Sequence, residues 1–231
     1  MTCQQITFLD YLTGSRDSLG GTPLLPAGQA WPECEHCRTP MSFFLQFDVA
    51  SEWETGLVPG SHLSLFMCLK HDDPVMPPLQ PEIQGQLPER YWELTAEARQ
   101  YSQFLLQLAP AGTGLQPQDV RPGVLPQTLS FTPHSEEITD TGRLKLGEAL
   151  FKIGGMPSWF QEPETYTCCC GAAMDFLCEI PKDYEFPKQP QAPAQENSYS
   201  DSHYSFFLGN EVYIFACRAQ CHPQALWPIS Q

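Results

Sequence analysis

Basic residues are scarce in this chain. Its 231 residues include 12 Lys+Arg against 27 Asp+Glu, which gives a formal net charge of -15. Nucleic acid is a poor partner for such a surface because each phosphate contact needs a cation. Anionic membrane surfaces are disfavoured by the same argument. A basic protein is the partner that this field would attract; alternatively, the acidity only keeps the protein in solution.

Long hydrophobic runs are also missing. No stretch of the chain approaches the roughly 18 apolar residues that span a bilayer. Residues 1–10 have neither the basic start nor the apolar run of a signal peptide. We therefore expect a cytoplasmic protein that does not associate with membranes. Thiols stay reduced in that compartment, so the 10 cysteines indicate metal binding rather than disulfides.

Catalytic and nucleotide-binding motifs are not evident either. A phosphate-binding loop needs several glycines, a basic residue and a following helix, and the two Gly-Gly-x-Pro segments lack them. The histidines form no recognisable Ser/His/Asp or Cys/His motif. The Cys-x-x-Cys at residues 34–37 follows Trp-Pro and precedes a strand, unlike the βαβ setting of a redox-active pair. An enzyme is therefore the less favoured class.

What the chain does contain is one pattern used twice. Each half has a Gly-Gly-x-Pro opening, a close group of cysteines, a Met-x-Phe strand and a later strand that ends in cysteine. The same spacing of 14 positions separates Gly20 from Cys34 and Gly154 from Cys168. Residues 65–68 overlay residues 214–217 at a shift of 149. Agreement at several independent landmarks indicates an internal duplication.

The duplication and the composition together predict the fold. We expect an α+β, β-rich tandem duplication with approximate two-fold pseudosymmetry and zinc-knuckle-like cysteine turns, folded as one compact unit. The 23 prolines and 16 glycines predict few long helices. The expected parts are an irregular or weakly helical lead-in (1–19), repeat one with a proline-rich insertion (20–135) and repeat two (136–231) with a polar loop at 181–203. Expected elements are strands at 41–47, 63–69, 104–108 and 212–216, a helix at 96–99 and a helical turn within 139–151.

The cysteines of repeat two predict a closed metal site. Four thiolates from two turns form a tetrahedral site without an open position, which is the structural kind of zinc site. The predicted ligands are Cys168, Cys170, Cys217 and Cys221. Cys169 can replace one member of the first pair. The alternative is that these residues are buried free thiols that pack as small hydrophobic groups.

The cysteines of repeat one predict a second, less regular zinc site. Its predicted cysteine ligands are Cys34, Cys37 and Cys68. The position that overlays Cys221 is Asp72, so Asp72 is the predicted fourth ligand. His71 and His36 are alternatives, since three cysteines with a carboxylate or an imidazole can hold zinc. A site that has lost its metal is the other interpretation.

These landmarks resemble a known family. The segments GGTPLLPAGQAWPECEHCRTPMSFFLQF, LSLFMC, KIGGMPSWFQEPE, CGAAMDFLCEI and VYIFAC are similar to the YwqG-like family of bacterial proteins of uncharacterised function. This resemblance covers most of the chain outside the two proline-rich insertions. The order of Gly-Gly-x-Pro, Cys-x-x-Cys, Met-x-Phe-x-x-Gln and Leu-Phe-x-Cys is more faintly similar to the amino-terminal part of the programmed cell death protein 2 family. That second resemblance implies a zinc module that binds protein clients, as in ribosomal-protein chaperoning.

The combined hypothesis is a non-enzymatic, zinc-stabilised protein-interaction module. Its partner would be a basic protein, with a chaperone-like or toxin-neutralising role. Two other functions stay open at this point. One is an enzyme that acts on a small molecule in a cleft between the repeats, and the other is metal storage or sensing.

Overall fold

The computed structural model describes residues 1–73, 84–95, 103–198 and 200–231. The strands of the first part are β1 (Thr2–Asp10), β2 (Ser18–Leu19), β3 (Leu24–Pro26), β4 (Ser42–Asp48) and β5 (His62–Met67). The next are β6 (Gln84–Gln86), β7 (Phe104–Ala109), β8 (Leu115–Pro117), β9 (Gln127–Ser135), β10 (Thr139–Asp140), β11 (Lys145–Leu146) and β12 (Lys152–Gly154). The last are β13 (Thr165–Thr167), β14 (Met174–Ile180), β15 (Glu185–Pro187), β16 (His203–Ser205), β17 (Val212–Cys217) and β18 (Leu226–Ser230).

The expected α+β class is wrong. The described residues contain no α-helix, and their only helical segments are two 3₁₀ turns, Tyr91–Glu93 and Phe206–Gly209. Proline lacks the amide that a helix interior needs, and the many prolines leave only short apolar segments between them, a length that suits strands. No helix in the described part of the chain is long and apolar enough to cross a membrane.

Ten strands form one sheet in the order β18-β17-β14-β12-β1-β9-β2-β4-β5-β7. The central pair, β1 and β9, is antiparallel and aligns Thr2 with Ser135 and Asp10 with Gln127. On one side lie β2, β4, β5 and β7, and on the other lie β12, β14, β17 and β18. The two edges approach each other, since the amide of Leu108 donates to the carbonyl of Pro223 at 2.7 Å. The sheet is therefore a nearly closed barrel.

A bulge occurs at matching places in the two arms of the sheet. The pairing of β4 with β5 shifts register between Phe43 and Leu45. The pairing of β14 with β17 shifts between Phe176 and Cys178, which are the residues that overlay Phe43 and Leu45 at a shift of 133. A bulge increases the local twist and bends the strand. Both bulges thus help to curve the sheet toward closure.

The core has one main cluster and two satellites. Residues such as Phe44, Leu65 and Leu177 pack in the main cluster. The satellites contain the cysteines: Phe43 and Phe66 pack with Cys34 and Cys68 in one, and the other includes Cys168, Met174, Phe215 and Cys217. Because neighbouring strand residues point to opposite faces, β4, β5, β14 and β17 supply both layers. Each cysteine group therefore lies on a small hydrophobic cluster of its own.

Several local expectations are revised. The prediction that residues 1–19 are irregular or weakly helical is wrong. Strand β1 lies between β9 and β12 in the sheet, and its Ile6 packs in the core. Residues 139–151 form β10 and β11 rather than a helical turn. The polar segment 181–203 contains β15, which pairs with β16 and buries Phe186. The strand expected at 104–108 is confirmed as β7, whereas the helix expected at 96–99 lies outside the described residues. The boundaries of the two repeats stay a prediction.

Candidate metal centres

Two turns bring together the cysteines of repeat two. Between β13 and β14, the amide of Cys168 donates to the carbonyl of Ala172 at 2.8 Å, and the amide of Gly171 donates back to Cys168 at 2.8 Å. The second turn begins where β17 ends, and the amide of Gln220 donates to the carbonyl of Cys217 at 2.8 Å. Both turns place sulfur atoms on the same satellite cluster. We call Cys168, Cys170, Cys217 and Cys221 the second centre.

The sulfur atoms of the second centre fit a tetrahedral metal ion. All four lie within 4.8 Å of one another. Cys170 and Cys217 are 3.5 Å apart and Cys168 and Cys221 are 3.6 Å apart, as free thiols. Four thiolates at about 2.3 Å from zinc lie about 3.8 Å from one another. Cys169 has its sulfur 3.9 Å from that of Cys168 and lies outside the group of four.

The thiols of the second centre differ in their tendency to ionise. Burial raises the pKa of Cys168, and it raises the pKa of Cys221 to about 12. The pKa of Cys170 is lowered, first because the backbone amide of Ala172 donates to its sulfur. Metal ligands must be thiolates, so a bound ion would displace protons from the buried sulfurs.

The first centre is built in the same way from a turn and the end of a strand. In the turn, the amide of Cys34 donates to the carbonyl of Thr39 at 2.9 Å, and the amide of Arg38 donates to Cys34 at 2.8 Å. Arg38 has a φ of 58°, the left-handed conformation that closes the turn. Cys68 follows β5 directly. We call Cys34, Cys37, Cys68 and His71 the first centre, because their ligand atoms lie within 4.8 Å of one another.

The distances in the first centre also fit zinc. The sulfurs of Cys37 and Cys68 are 3.7 Å apart. Nδ1 of His71 is 3.6 Å from the sulfur of Cys34 and 3.7 Å from that of Cys68. A tetrahedral ion bound at about 2.3 Å to sulfur and about 2.05 Å to nitrogen sets these atoms about 3.6 Å apart. The pKa of Cys34 is lowered to about 4, chiefly by the hydrogen bond that it accepts from Cys68.

The structure does not bring Asp72 to the first centre. Its buried carboxylate accepts hydrogen bonds from Asn197, from Nδ2 at 2.6 Å and from the amide at 3.3 Å. His71, one position earlier, supplies the nearby donor atom instead. The overlay of the two repeats pointed to residue 72 because it assumes equal ligand positions. The ring of His36 lies 5.1 Å from the ring of His71, outside the group.

A pair of anchoring residues was missed by the sequence reasoning. Oε1 of Gln46 accepts the amide of Leu24 at 2.8 Å, just after the first Gly-Gly-x-Pro. At the matching position of repeat two, Oε2 of Glu179 accepts the amide of Ser158 at 3.0 Å. Each anchor stands five positions after the methionine of its Met-x-Phe strand. The signal was therefore present in the Met-x-Phe-x-x-Gln spacing, and comparison of the two repeats would have revealed it.

The geometry thus provides two Cys/His groups that can hold a metal ion. A search of the curated proteins finds no match for this chain. A family model described as "Domain of unknown function (DUF1963)" matches residues 17–200, which is most of the chain, and the match is compatible with the resemblance to YwqG-like proteins. It covers the first centre and the β13–β14 turn but ends before β17. The chain therefore belongs to the DUF1963 family.

Proposed function

We propose that this chain is a zinc-stabilised protein-interaction module without catalytic activity, and that its partner is a basic protein. The observation that carries the proposal is that both centres have four ligand atoms each. Structural zinc sites are closed by four protein ligands, whereas catalytic zinc keeps a position open for water or substrate. Zinc is the expected ion because three or four cysteine sulfurs are the ligands that it takes in structural sites.

The position of the centres supports a stabilising role. Each centre joins a turn to the end of the strand next to one edge of the sheet, β5 or β17, and covers a satellite cluster. Turns of this kind have few apolar contacts of their own, so metal binding supplies free energy of folding. The 10 cysteines are free thiols, which supports a reducing compartment such as the cytoplasm.

Exposed carboxylates around the first centre support a basic partner. Glu33 and Glu35 flank Cys34, and both are exposed. Asp73 is exposed two positions after His71. Glu196 is also exposed, and its amide donates to the carbonyl of Leu69 at 2.8 Å, next to Cys68. Complementary charge accelerates association with a partner of opposite sign. We name Glu33, Glu35, Asp73 and Glu196 the acidic rim.

The test compares two triple variants of the full chain. One removes charge from the acidic rim (Glu33→Gln, Glu35→Gln, Asp73→Asn), and the matched control removes the same charge elsewhere (Asp10→Asn, Glu52→Gln, Asp140→Asn). Each protein is immobilised on a resin and incubated with a cell lysate at low and at high salt. The captured proteins are then identified by mass spectrometry. We expect the control to retain basic proteins at low salt and the rim variant to lose them. The proposal would be contradicted if the set of captured proteins changed neither with the salt concentration nor with the charge of the acidic rim.

A hollow between the two halves is the candidate site for the alternative function, catalysis on a small molecule, and its lining supports that function less well than the centres support a structural role. It has a volume of about 390 Å³ and is lined by Gln29, Gln107, His222 and Gln224 with apolar neighbours. Of its lining side chains, His222 is the one that titrates near neutral pH, and burial lowers its pKa. General acid–base chemistry there would rest on this single imidazole.

A further inference from the structure

A second hollow lies beside the first centre and has a volume of about 530 Å³. One wall is the strand that follows the Cys34–Cys37 turn, with Met41 and Phe43. The opposite walls are the loops at 121–124 and 191–193. Pockets for single small molecules have volumes of roughly 300–1,000 Å³. The hollow is therefore of a size that suits one small ligand.

The aromatic wall of the hollow is held in place by the fold. The Nε1 of Trp31 donates to the carbonyl of Met41 at 2.8 Å. Its ring also meets the ring of Phe66 edge-on, with centroids 5.5 Å apart. Trp31 thus presents a fixed apolar face to the hollow before any ligand arrives. A preformed surface loses little conformational freedom on binding.

The loop that closes the hollow packs directly on the first Gly-Gly pair. Gly20 has a φ of +52°, and a Cβ at this position would lie 2.3 Å from the carbonyl oxygen of Val124. Only glycine permits this approach. The contact fixes the 121–124 loop against the rest of repeat one, and this loop carries Arg121 to the mouth of the hollow.

Arg121 brings a positive charge to the lining of the hollow. Its guanidinium lies 4.6 Å from the centre of the Trp31 ring. Arg16 pairs with Asp48 and Arg218 pairs with Asp175. Within the described residues, Arg121 has no such carboxylate partner. In a protein with a net charge of -15, a guanidinium free to bind at an apolar hollow points to an anionic group on a ligand.

We propose that this hollow binds a small apolar anion. The apolar body of the ligand packs on Trp31 and Phe43, and its carboxylate accepts hydrogen bonds from the guanidinium of Arg121. Stacking on Trp31 occupies the face of the guanidinium and leaves its N–H edges for a bidentate carboxylate. In repeat two the position that overlays Trp31 is Thr165, and the ring that packs on Phe215, the residue that overlays Phe66, is that of Trp159. The proposed ligand site lies in repeat one alone and is independent of the protein partner.

The test uses two fluorescent probes of similar shape on the full-length, metal-loaded protein. Anilinonaphthalene sulfonate carries one negative charge, and phenylnaphthylamine is its uncharged analogue. We expect Arg121→Gln to weaken binding of the charged probe about tenfold or more, because charge-assisted hydrogen bonds to the ligand are lost. Binding of the uncharged probe should stay within about twofold of the wild-type value. The matched control is Arg143→Gln, since Arg143 is also exposed but does not line the hollow.

A filling variant tests the apolar part of the proposal. Gln191 is exposed and lines the hollow, so Gln191→Trp should weaken both probes while circular dichroism shows an unchanged fold. Naphthoate should displace the charged probe at least about tenfold better than naphthylmethanol. Equal affinity of the charged probe for the wild type and Arg121→Gln, or no binding of either probe to the wild type, would overturn the proposal.

Discussion

The two halves of the sheet use neighbouring positions for opposite purposes. In repeat one, His71 completes the metal group and Asp72 bonds to Asn197 of repeat two. In repeat two, Cys221 completes the group, and Gln220 donates to Oγ of Ser61 of repeat one at 3.0 Å. At the shift of 149, residue 71 overlays 220 and residue 72 overlays 221. Each half therefore places one of these positions in the candidate ligand group and its neighbour in the contact with the other half, in opposite order.

A second difference concerns the buried anchors. Repeat one uses a neutral amide as the anchor: Nε2 of Gln46 donates to Oγ of Ser18 at 3.2 Å, and its Oε1 lies 3.3 Å from Nε2 of His62. At the matching positions repeat two has Glu179 and Lys152, 3.6 Å apart and both buried. Nζ of Lys152 makes a closer bond to Glu136 at 2.5 Å. Both halves thus keep a hydrogen bond from a backbone amide to the anchor side chain. The anchor is a neutral amide in repeat one and a carboxyl group close to a lysine in repeat two.

The largest effect is expected from the second centre. Cys217→Ser should remove one metal ion per chain and abolish the cooperative unfolding transition, because zinc binding contributes on the order of 10 kcal/mol to such sites. Metal content by atomic emission and thermal unfolding by circular dichroism provide the measurement. The matched control is Cys169→Ser, which should keep both the metal and the transition. A Cys217→Ser protein with full metal content and wild-type stability would exclude the second centre.

A smaller loss is expected at the first centre. His71→Ala should release the ion of this centre and leave that of the second, so the metal content falls from about two ions to about one per chain. Removal of the imidazole leaves three thiolates, and structural zinc sites are closed by four protein ligands. His36→Ala is the control and should retain both ions. If His71→Ala retained both ions, the fourth ligand of the first centre would be His36 or a water molecule rather than His71.

The ligand prediction shows what a single sequence can and cannot provide. The overlay of repeats located seven cysteine ligand candidates because cysteine spacing within a turn is fixed by backbone geometry. It pointed to Asp72 because the overlay assumes equal ligand positions, whereas Nδ1 of His71 is the atom that lies close to the sulfurs of Cys34 and Cys68. Only the placement of Asn197, 125 positions from Asp72, shows that the carboxylate is engaged elsewhere.

The fold was predictable to a similar degree. The strands β4, β5 and β17 follow from apolar segments next to cysteines, and the sequence predicts all three. Strand β1 is not predicted by the sequence, because apolar and polar residues alternate only weakly along it. Its strand conformation is imposed by nine aligned residue pairs with β9. Tertiary pairing of this kind overrides local propensity. The same reason explains why the sequence predicts a loop where β15 forms and pairs with β16.

The buried anchors predict a pH dependence that belongs to repeat two. Burial raises the pKa of Glu179 to about 8, and contact with Glu211 adds to the effect. Because the folded pKa lies above that of the unfolded chain, the stability linked to this proton is complete below about pH 4.3 and is lost as the pH rises toward 8. Glu179→Gln should remove a loss of a few kcal/mol between about pH 4.3 and 8.

Denaturant unfolding at several pH values measures this difference. The amide of Glu179→Gln keeps an acceptor for Ser158, as Gln46 keeps one for Leu24. Parallel pH profiles for the wild type and Glu179→Gln would show that this carboxyl group does not retain its proton in the folded protein.

The contacts between the halves should give the smallest effects. Gln220→Ala removes a partly exposed hydrogen bond to Ser61 and should cost about 1 kcal/mol of unfolding free energy. Asp72→Ala removes a buried charged acceptor from Asn197 and should cost about 2 kcal/mol. Both variants should keep the wild-type metal content, because neither residue belongs to a centre. Loss of metal from Asp72→Ala would instead make its carboxylate a ligand, and the opposite use of the two positions would no longer hold.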